Sequence, residues 1–421
     1  MICTIQYGSG TLELEVPRER VAGVMAPRTA QAVPDVGKAV RSAVAMPVAA
    51  RPLEELLQDK RTALLVTVDN TRPSPAPLLL PVIDLCKRQN VKPTVIVANG
   101  RHRAMTDAEL HAHLGEGIME TCAVLQHDAF DAAHMVSRGV TRRGTPIRVN
   151  KIIFEYDVVI GAGIIEPSYL CGWSGGRKLL MPGLAWHESI DSNHFFLTHP
   201  DARIGRLHGN PVSDDAAEFA AGLPLHFIVY AVSGPNDEVT QVIAGDPIEA
   251  HAKACAVAES IYRVDRLEAD IVISSAGGAP YDCDLVQGKK AIIPAAQVVR
   301  RNGVVIICAE CPNGLGAEKT FTDWILGKTP HEVTRDVLDR KQFSLGSHGA
   351  NILAKPIVEK NATVILVTRP EVARQLRGGY LVCLTSLAEA WQLANLLTGT
   401  SSRVLFIEKA RRLIVADKES R

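Results

Sequence analysis

The feature that most constrains this chain is a repeated alternation of short runs dense in Val and Ile with stretches where apolar residues recur at helical spacing. The runs are 63–68, 94–98, 158–160, 271–274, 304–308 and 364–367. Helical patterns occupy 77–89, 107–114, 247–262, 287–301 and 387–397, each bounded by Gly, Pro or a capping residue. Runs without polar alternation are buried on both faces, and strands alternating with helices build βαβ units around parallel sheets. The fold class is therefore α/β. The chain has 421 residues, enough for two to three domains of roughly 150 residues each. RVDRLEAD, residues 263–270, is the most polar break between two strongly patterned halves. It predicts an N-terminal α/β domain over 1–266 and a C-terminal α/β domain over 267–421, with a ligand cleft between them. The last residues are expected to pack back on the first domain.

Composition excludes several classes of function. With 46 Lys+Arg against 46 Asp+Glu the formal net charge is zero and no basic patch stands out, which argues against nucleic acid as a partner. No stretch approaches the roughly 20 apolar residues needed to cross a bilayer. The first twenty residues alternate apolar and polar side chains and read as a hairpin, not a signal peptide, so the expected location is cytoplasmic. Nine cysteines, scattered from Cys3 to Cys383, are expected to be reduced. Cys308 and Cys311 form a lone C-x-x-C, and without a second pair they are read as structural.

An α/β protein displays its functional groups where strands run into turns, and four such junctions are dense in charge. In VTVDNTRPSP, Asp69 and Arg72 follow the first run, and an Arg fork there would suit a carboxylate or phosphate. The plainer alternative is an Asp capping the turn beside a surface Arg. In VIVANGRHRAMTDAEL, His102 lies between Arg101 and Arg103, whose charges favour a neutral, base-competent imidazole, although a surface histidine fits as well. Thr106 with Glu109 matches a helix capping box.

The third junction spans 161–194. Ser174, Gly175 and Gly176 offer backbone N–H groups ahead of two cations, Arg177 and Lys178, an arrangement suited to a phosphate. It is not a P-loop, because Leu179 occupies the hydroxyl position. Lys178 is a candidate nucleophile between glycines and the apolar LLMPG. His194, behind Asp191 and Asn193, is a candidate metal ligand that those neighbours would orient. One histidine does not make a metal site, so further donors must come from a cofactor or from distant residues. At the fourth junction, after Gly277-Gly278, Gln287 and Lys290 lie on the first turns of a helix. A lysine there opposes the macrodipole, although a solvated helix face would also tolerate it.

In this order the segments D-x-T-R-P-x-P, G-x-H-R-x-M-T, G-W-S-G-G-R-K-x-x-x-P-G, I-D-x-N-H and Q-x-x-K resemble the nickel-pincer lactate racemase family, over residues 60 to 320. The resemblance implies two α/β domains and a nickel ion gripped by a pyridinium-3,5-bisthiocarboxylic acid mononucleotide, the product of dedicated cofactor biosynthesis proteins. By position, Lys178 would carry the covalent link to that nucleotide and His194 would ligate nickel. Asp69, Arg72 and the loop Ser174, Gly175, Gly176 and Arg177 would surround the nucleotide or the substrate anion. His102 would be a catalytic base. Gln287 and Lys290 would line the substrate pocket, Lys290 with a catalytic share. The family's second catalytic histidine, ten residues before the cofactor lysine, is here Ser168, and the aromatic residue before the glutamine is Val286.

The chemistry so implied is inversion of a hydroxyl-bearing carbon. A base takes the hydroxyl proton while hydride leaves to the cofactor, and hydride returns on the other face of the ketone. Ser168 is not a base at neutral pH without an activating partner. It makes room for a larger polyhydroxylated substrate, so the expected substrates are 2-hydroxy acids, sugar acids or sugars. Tyr169, His187 and His208 are candidate replacements for the missing base. The alternatives are a non-racemising dehydrogenase, for which no G-x-G-x-x-G follows a strand, and a carrier of the nickel nucleotide or an organic anion, which would not need His102.

Overall fold

Each Val/Ile-rich run is a β-strand in the computed structural model, which describes residues 1–417. Strands are numbered along the chain. β1 (Ile2–Tyr7) and β2 (Gly10–Glu15) form the N-terminal antiparallel hairpin, and β3 (Val21–Met25) follows. Next come β4 (Thr62–Thr67), β5 (Lys92–Val97), β6 (Ala123–Gln126) and the paired β7 (Met135–Val140) and β8 (Pro146–Asn150). β9 (Val158–Ile165) leads into the two-residue pair β10 (Pro167–Ser168) and β11 (Gly172–Trp173), then β12 (Phe227–Ser233) and β13 (Val239–Gly245). The remainder holds β14 (Arg263–Asp265), β15 (Ala269–Ser275), β16 (Val299–Cys308), β17 (Thr363–Val367), β18 (Val382–Leu384), β19 (Val404–Ile407) and β20 (Ile414–Ala416).

The chain divides into two units, Thr29–Ile261 and Met1–Arg28 together with the chain from Tyr262 onward. In the first, six strands run in the order β13-β12-β9-β4-β5-β6, parallel except for β13. All eight residues of β9 are buried, which explains why its sequence shows no alternation. Leu65, Val95, Ile160 and Val229 pack with Leu79, Val82 and Ile83 of the helix Ala76–Arg88 in one core. From β4 the chain winds through β5 and β6 in one direction. From β9 it winds through β12 in the other. The switch lies between β4 and β9, and a doubly wound sheet opens a crevice at the carboxyl ends of its strands at such a point.

The second unit has its own sheet, all parallel, in the order β18-β17-β16-β15-β19-β3, with its switch between β15 and β19. Here the turn after β15 is met by the tip of the N-terminal hairpin. Ser275 Oγ donates to the Gln6 carbonyl at 2.6 Å, Ala279 N–H to the Gly8 carbonyl at 2.7 Å, and Gly8 N–H to Asp282 Oδ2 at 2.8 Å.

Three expectations need correction. Residues 1–28 belong with the second half and not with a 1–266 domain, because β3 satisfies the outer edge of β19. The last strand, β20, pairs with β14 inside that same unit and does not return to the first domain. The helix expected over 287–301 is broken into Leu285–Gly288, a 3-10 turn Lys289–Ala291 and Ile292–Val298, after which Val299 begins β16. Pro294 has no N–H to donate, so it fits only the first turn of a restarted helix.

All nine cysteines are free thiols. Cys308 and Cys311 are buried, and burial is the main cause that pushes both thiols up to about 12. No helix among the described residues is long and apolar enough to cross a membrane. The hairpin plug supplies a test. Buried Asp282 accepts from Gly8 N–H at 2.8 Å and Glu310 N–H at 3.1 Å. Asp282→Ala orphans both donors and is expected to destabilise its unit by about 1–3 kcal/mol, measured as a fall in the urea midpoint; an unchanged midpoint refutes the tether.

Candidate active site

β4 lies between β5 and β9, so residues leaving its carboxyl end reach the ends of both neighbours. Asp69, two residues past β4, is buried and accepts from His102 Nδ1 at 2.5 Å and from Thr71 Oγ1 at 2.5 Å. Burial alone would raise its carboxyl. The hydrogen bonds from His102 and Thr71 outweigh that and hold it below the usual carboxylate range. On the other side Arg72 Nε meets Glu166 Oε1 at 3.1 Å, just past the end of β9. The Glu166 side chain is 3% exposed and Arg72 29%.

The Asp69 carboxylate can only accept, so Nδ1 of His102 carries the proton and Nε2 holds the free lone pair. The His102 side chain is 61% exposed while Asp69 is 9% exposed, which gives an accessible imidazole whose tautomer is fixed from beneath. The flanking arginines have carboxylates of their own. Arg101 pairs with Asp191, and Arg103 is held by Glu109, the capping-box acid of the helix Asp107–Leu114. His102 therefore faces a carboxylate and not two free cations, contrary to the sequence expectation.

The loop after β11 is locked onto the end of β9. Ser174 Oγ donates to the Ile164 carbonyl at 2.7 Å and accepts from Glu166 N–H at 2.8 Å. Gly175 and Gly176 have φ of +78° and +55°, and a Cβ would stand 2.3 Å from Ile165 Cδ1 at the first and 2.9 Å from the His251 ring at the second. Only glycine meets both demands. His251 in turn donates Nε2–H to the Ser174 carbonyl at 2.8 Å. Arg177 is turned onto Ser213, Nε reaching its carbonyl at 3.0 Å and Nη2 its hydroxyl. The side chains of Ser174 and Arg177 are thus engaged within the protein, Arg177 through Nε and Nη2.

Lys178 differs from both. It is half-buried in the 3-10 turn Gly176–Leu179, and its ammonium has no hydrogen-bond or ion-pair partner among the described residues. It acts electrostatically on His194, the last residue of the helix His187–His194. That imidazole is pushed down to about 3, first by burial, then by the charges of Lys178 and Arg101. A helix C-terminus favours a cation by about 0.3–1 kcal/mol, and here burial and two positive neighbours win. His194 is therefore neutral, and its Nδ1 is buried without a hydrogen-bond partner. Asp191 and Asn193 do not orient it: Asp191 holds Arg101, and Asn193 donates to Asp215 and the Val212 carbonyl. No group of three or more His, Cys, Asp or Glu side chains that could hold a metal occurs among the described residues. A metal at His194 would need donors beyond the His, Cys, Asp and Glu side chains of the described residues.

Ser168 is buried in β10, with Cys171 Sγ at 4.0 Å from its hydroxyl. Of the candidate replacements for its missing imidazole, Tyr169 follows it at the end of β10 and is half-buried, and His208 is exposed. The His187 ring stacks on Phe130 at 4.8 Å and meets the tilted ring of Trp186 at 4.4 Å. Gln287 and Lys290 belong to the other unit. They are half-buried, and Lys290 Nζ donates to Gln287 Oε1 at 2.5 Å. Sequence reasoning missed Glu166 and His251. An acid directly after the all-apolar β9 was a usable signal for the first; His251, inside the amphipathic helix Glu249–Tyr262, gave none.

The sequence matches the description "Lactate racemase N-terminal domain" over residues 7–205 and "Lactate racemase C-terminal domain" over residues 264–415. It is 30% identical to a lactate racemase of Thermoanaerobacterium thermosaccharolyticum, covering 98% of this chain and 99% of that protein. It is 27% identical to a lactate racemase of Lactiplantibacillus plantarum, with the same coverage of 98% and 99%. The solved apoprotein of the Thermoanaerobacterium enzyme superposes with a TM-score of 0.93 at 30% identity, over 99% of this chain and 100% of that one. A Thermotoga maritima protein shares the fold, with a TM-score of 0.68 at 18% identity over 91% and 98% of the two chains.

The depressed carboxyl of Asp69 yields a test. Stability from its ionised form is fully present above the unfolded-state value of about 3.9 and is lost as pH falls through the lower native value. The urea-midpoint difference between the protein and Asp69→Asn is expected to hold from neutrality to about pH 4.5 and to shrink below about pH 4; a difference constant into acid overturns it. Motifs, site geometry and full-length similarity agree that the chain belongs to the lactate racemase family of isomerases.

Proposed function

We propose that this isomerase inverts the hydroxyl-bearing carbon of a 2-hydroxy acid, using a nickel-pincer nucleotide held by Lys178 and His194. The observation that carries the reading is the pairing of a partnerless Lys178 with a buried neutral His194 whose Nδ1 is orphaned. A buried imidazole nitrogen without a partner costs about 1–3 kcal/mol, and a metal bond is one way to offset that. Neutral imidazole is the ligating form, and His194 would add a donor to a nickel ion that a pincer ligand holds. A lysine without a hydrogen-bond or ion-pair partner among the described residues suits a covalent link. The residues therefore fit the group.

When bound, the nickel nucleotide supplies a place for the hydride that leaves and returns to the carbinol carbon. The chain's own residues do the rest. His102 Nε2 accepts the proton of the substrate hydroxyl, and Asp69 holds the ring and stabilises the imidazolium that results. Asp69 thus acts here on the base rather than on the nucleotide. Arg72, with Nε on Glu166 and Nη1 on the Thr71 carbonyl, keeps donors for an anion such as a carboxylate. Gln287 and Lys290 hold the substrate.

Ser168 supports a second substrate class. Where the family has imidazole, a hydroxyl leaves more space and offers a hydrogen bond, which favours sugar acids and sugars over lactate.

Intact mass and nickel analysis should be made on protein produced together with the cofactor biosynthesis proteins. The expected result is a nucleotide-sized adduct with stoichiometric nickel, both lost or weakened in Lys178→Ala and His194→Ala; a clean apo mass without nickel refutes the cofactor and moves the carrier reading ahead. Asp69→Asn should keep adduct and nickel while kcat falls about 10²–10⁴-fold. A screen of lactate against aldonic acids and aldoses tests Ser168, and lactate turnover above all others removes the sugar reading.

A further inference from the structure

Lys289 is 1% exposed, next to the substrate-holding Lys290, and takes no part in the chemistry above. Its ammonium makes one hydrogen bond among the described residues, to the Val286 carbonyl at 2.8 Å, and lies 4.7 Å from the centroid of Phe321. No carboxylate stands within ion-pair distance of it among the described residues, although Glu318 and Asp284 act on it from further away. The chain makes room for this group. Gly349, third in the helix Ser347–Lys360, would place a Cβ 2.7 Å from Lys289 Cε and 3.1 Å from Nζ. Glycine in a helix costs about 1 kcal/mol against alanine, and a buried ammonium is commonly no better for stability than an apolar side chain of its size. Two costs meet at one point without a stabilising return.

The local backbone gives the reason. Asp284 Oδ1 caps the short helix Leu285–Gly288 by accepting from Gln287 N–H at 2.7 Å. At Lys289 the helix passes into a 3-10 turn. The Lys289 ammonium donates to the carbonyl of Val286, directly before Gln287. The turn is thus fixed at its start by Asp284 and from within by Lys289, with Gln287 and Lys290 on it.

We propose that Lys289 is a positioning residue, whose ammonium, by holding the Val286 carbonyl, fixes the turn that presents Gln287 and Lys290 to the substrate. This rests on the reading that those two residues hold the substrate. Burial, the largest cause, pushes the Lys289 ammonium down to about 8, as expected of a cation kept without a contacting counter-charge.

The test uses the nickel-loaded enzyme with lactate as the probe substrate, comparing the unaltered chain with Lys289→Met, Gly349→Ala and Lys290→Ala. Lys289→Met fills the same space without charge. It should raise KM about tenfold or more with kcat changed less than about threefold, and leave nickel content and thermal midpoint unchanged or the midpoint higher. Gly349→Ala keeps the ammonium but displaces it, and should move KM in the same direction in a helix that alanine favours; it decides the matter if Lys289→Met does not fold. An unchanged KM in both variants, or an activity loss that only follows a lowered midpoint, overturns the positioning role while Lys290→Ala still raises KM. If Lys290→Ala leaves KM unchanged, the substrate role of the pair falls, and this proposal with it.

Discussion

A buried carboxylate governs the candidate active site. Asp69 lies at the centre of a doubly wound sheet, where ionisation would be costly without donors. His102 and Thr71 supply them, and in doing so the imidazole is fixed in one tautomer with its other nitrogen accessible. Beside it, Glu166 takes up part of Arg72, and Asp191 takes up Arg101. Three acids against those two arginines and a neutral His194 leave the ammonium of Lys178 without a hydrogen-bond or ion-pair partner among the described residues. A group that forms a covalent bond must be free of competing partners, and the paired charges around Lys178 leave it so.

The chain builds two doubly wound sheets, and their switch points are finished differently. After β15 the tip of the N-terminal hairpin is bound through the Gln6 and Gly8 carbonyls, which accept from Ser275 Oγ and Ala279 N–H, and Asp282 accepts from Gly8 N–H. After β4 and β9 the turns carry functional groups, and the short pair β10/β11 follows β9 directly. This explains why the first 28 residues fold with the far end of the chain: β3 completes a sheet edge, and the hairpin ahead of it fills a crevice that otherwise would expose polar backbone.

The fold class was legible because its signal is long and redundant: β4, β9 and β16 are apolar runs that only a covered parallel sheet accommodates. The site was legible where a motif presents chemistry at a strand end, as with Asp69, His102, Lys178 and His194. Pairing across the sheet was not. That Asp69 holds His102, that Arg72 finds Glu166 and that Arg177 turns to Ser213 depend on strand order and loop packing over separations of 33, 94 and 36 residues. Hydrophobic periodicity carries no record of such pairs. The break of the 287–301 helix was written in Pro294, but the tight turn around Lys289 depends on a side-chain hydrogen bond that no spacing reveals.

One consequence of Ser168 follows from thermodynamics alone. On the proposed reading, one face of the substrate meets an imidazole backed by a carboxylate, while the other meets a hydroxyl that only relays protons. Two enantiomers have equal free energy, so kcat/KM must be the same in both directions however unequal the two groups are. The asymmetry can then appear only as kcat and KM shifting together between enantiomers. Epimers of a sugar acid differ in free energy, and that restriction is lifted: the ratio of kcat/KM equals their equilibrium constant. A site with a single oriented base is no handicap for such a substrate, provided that the poorly served face belongs to the less stable epimer, whose own energy lowers the barrier still to be crossed.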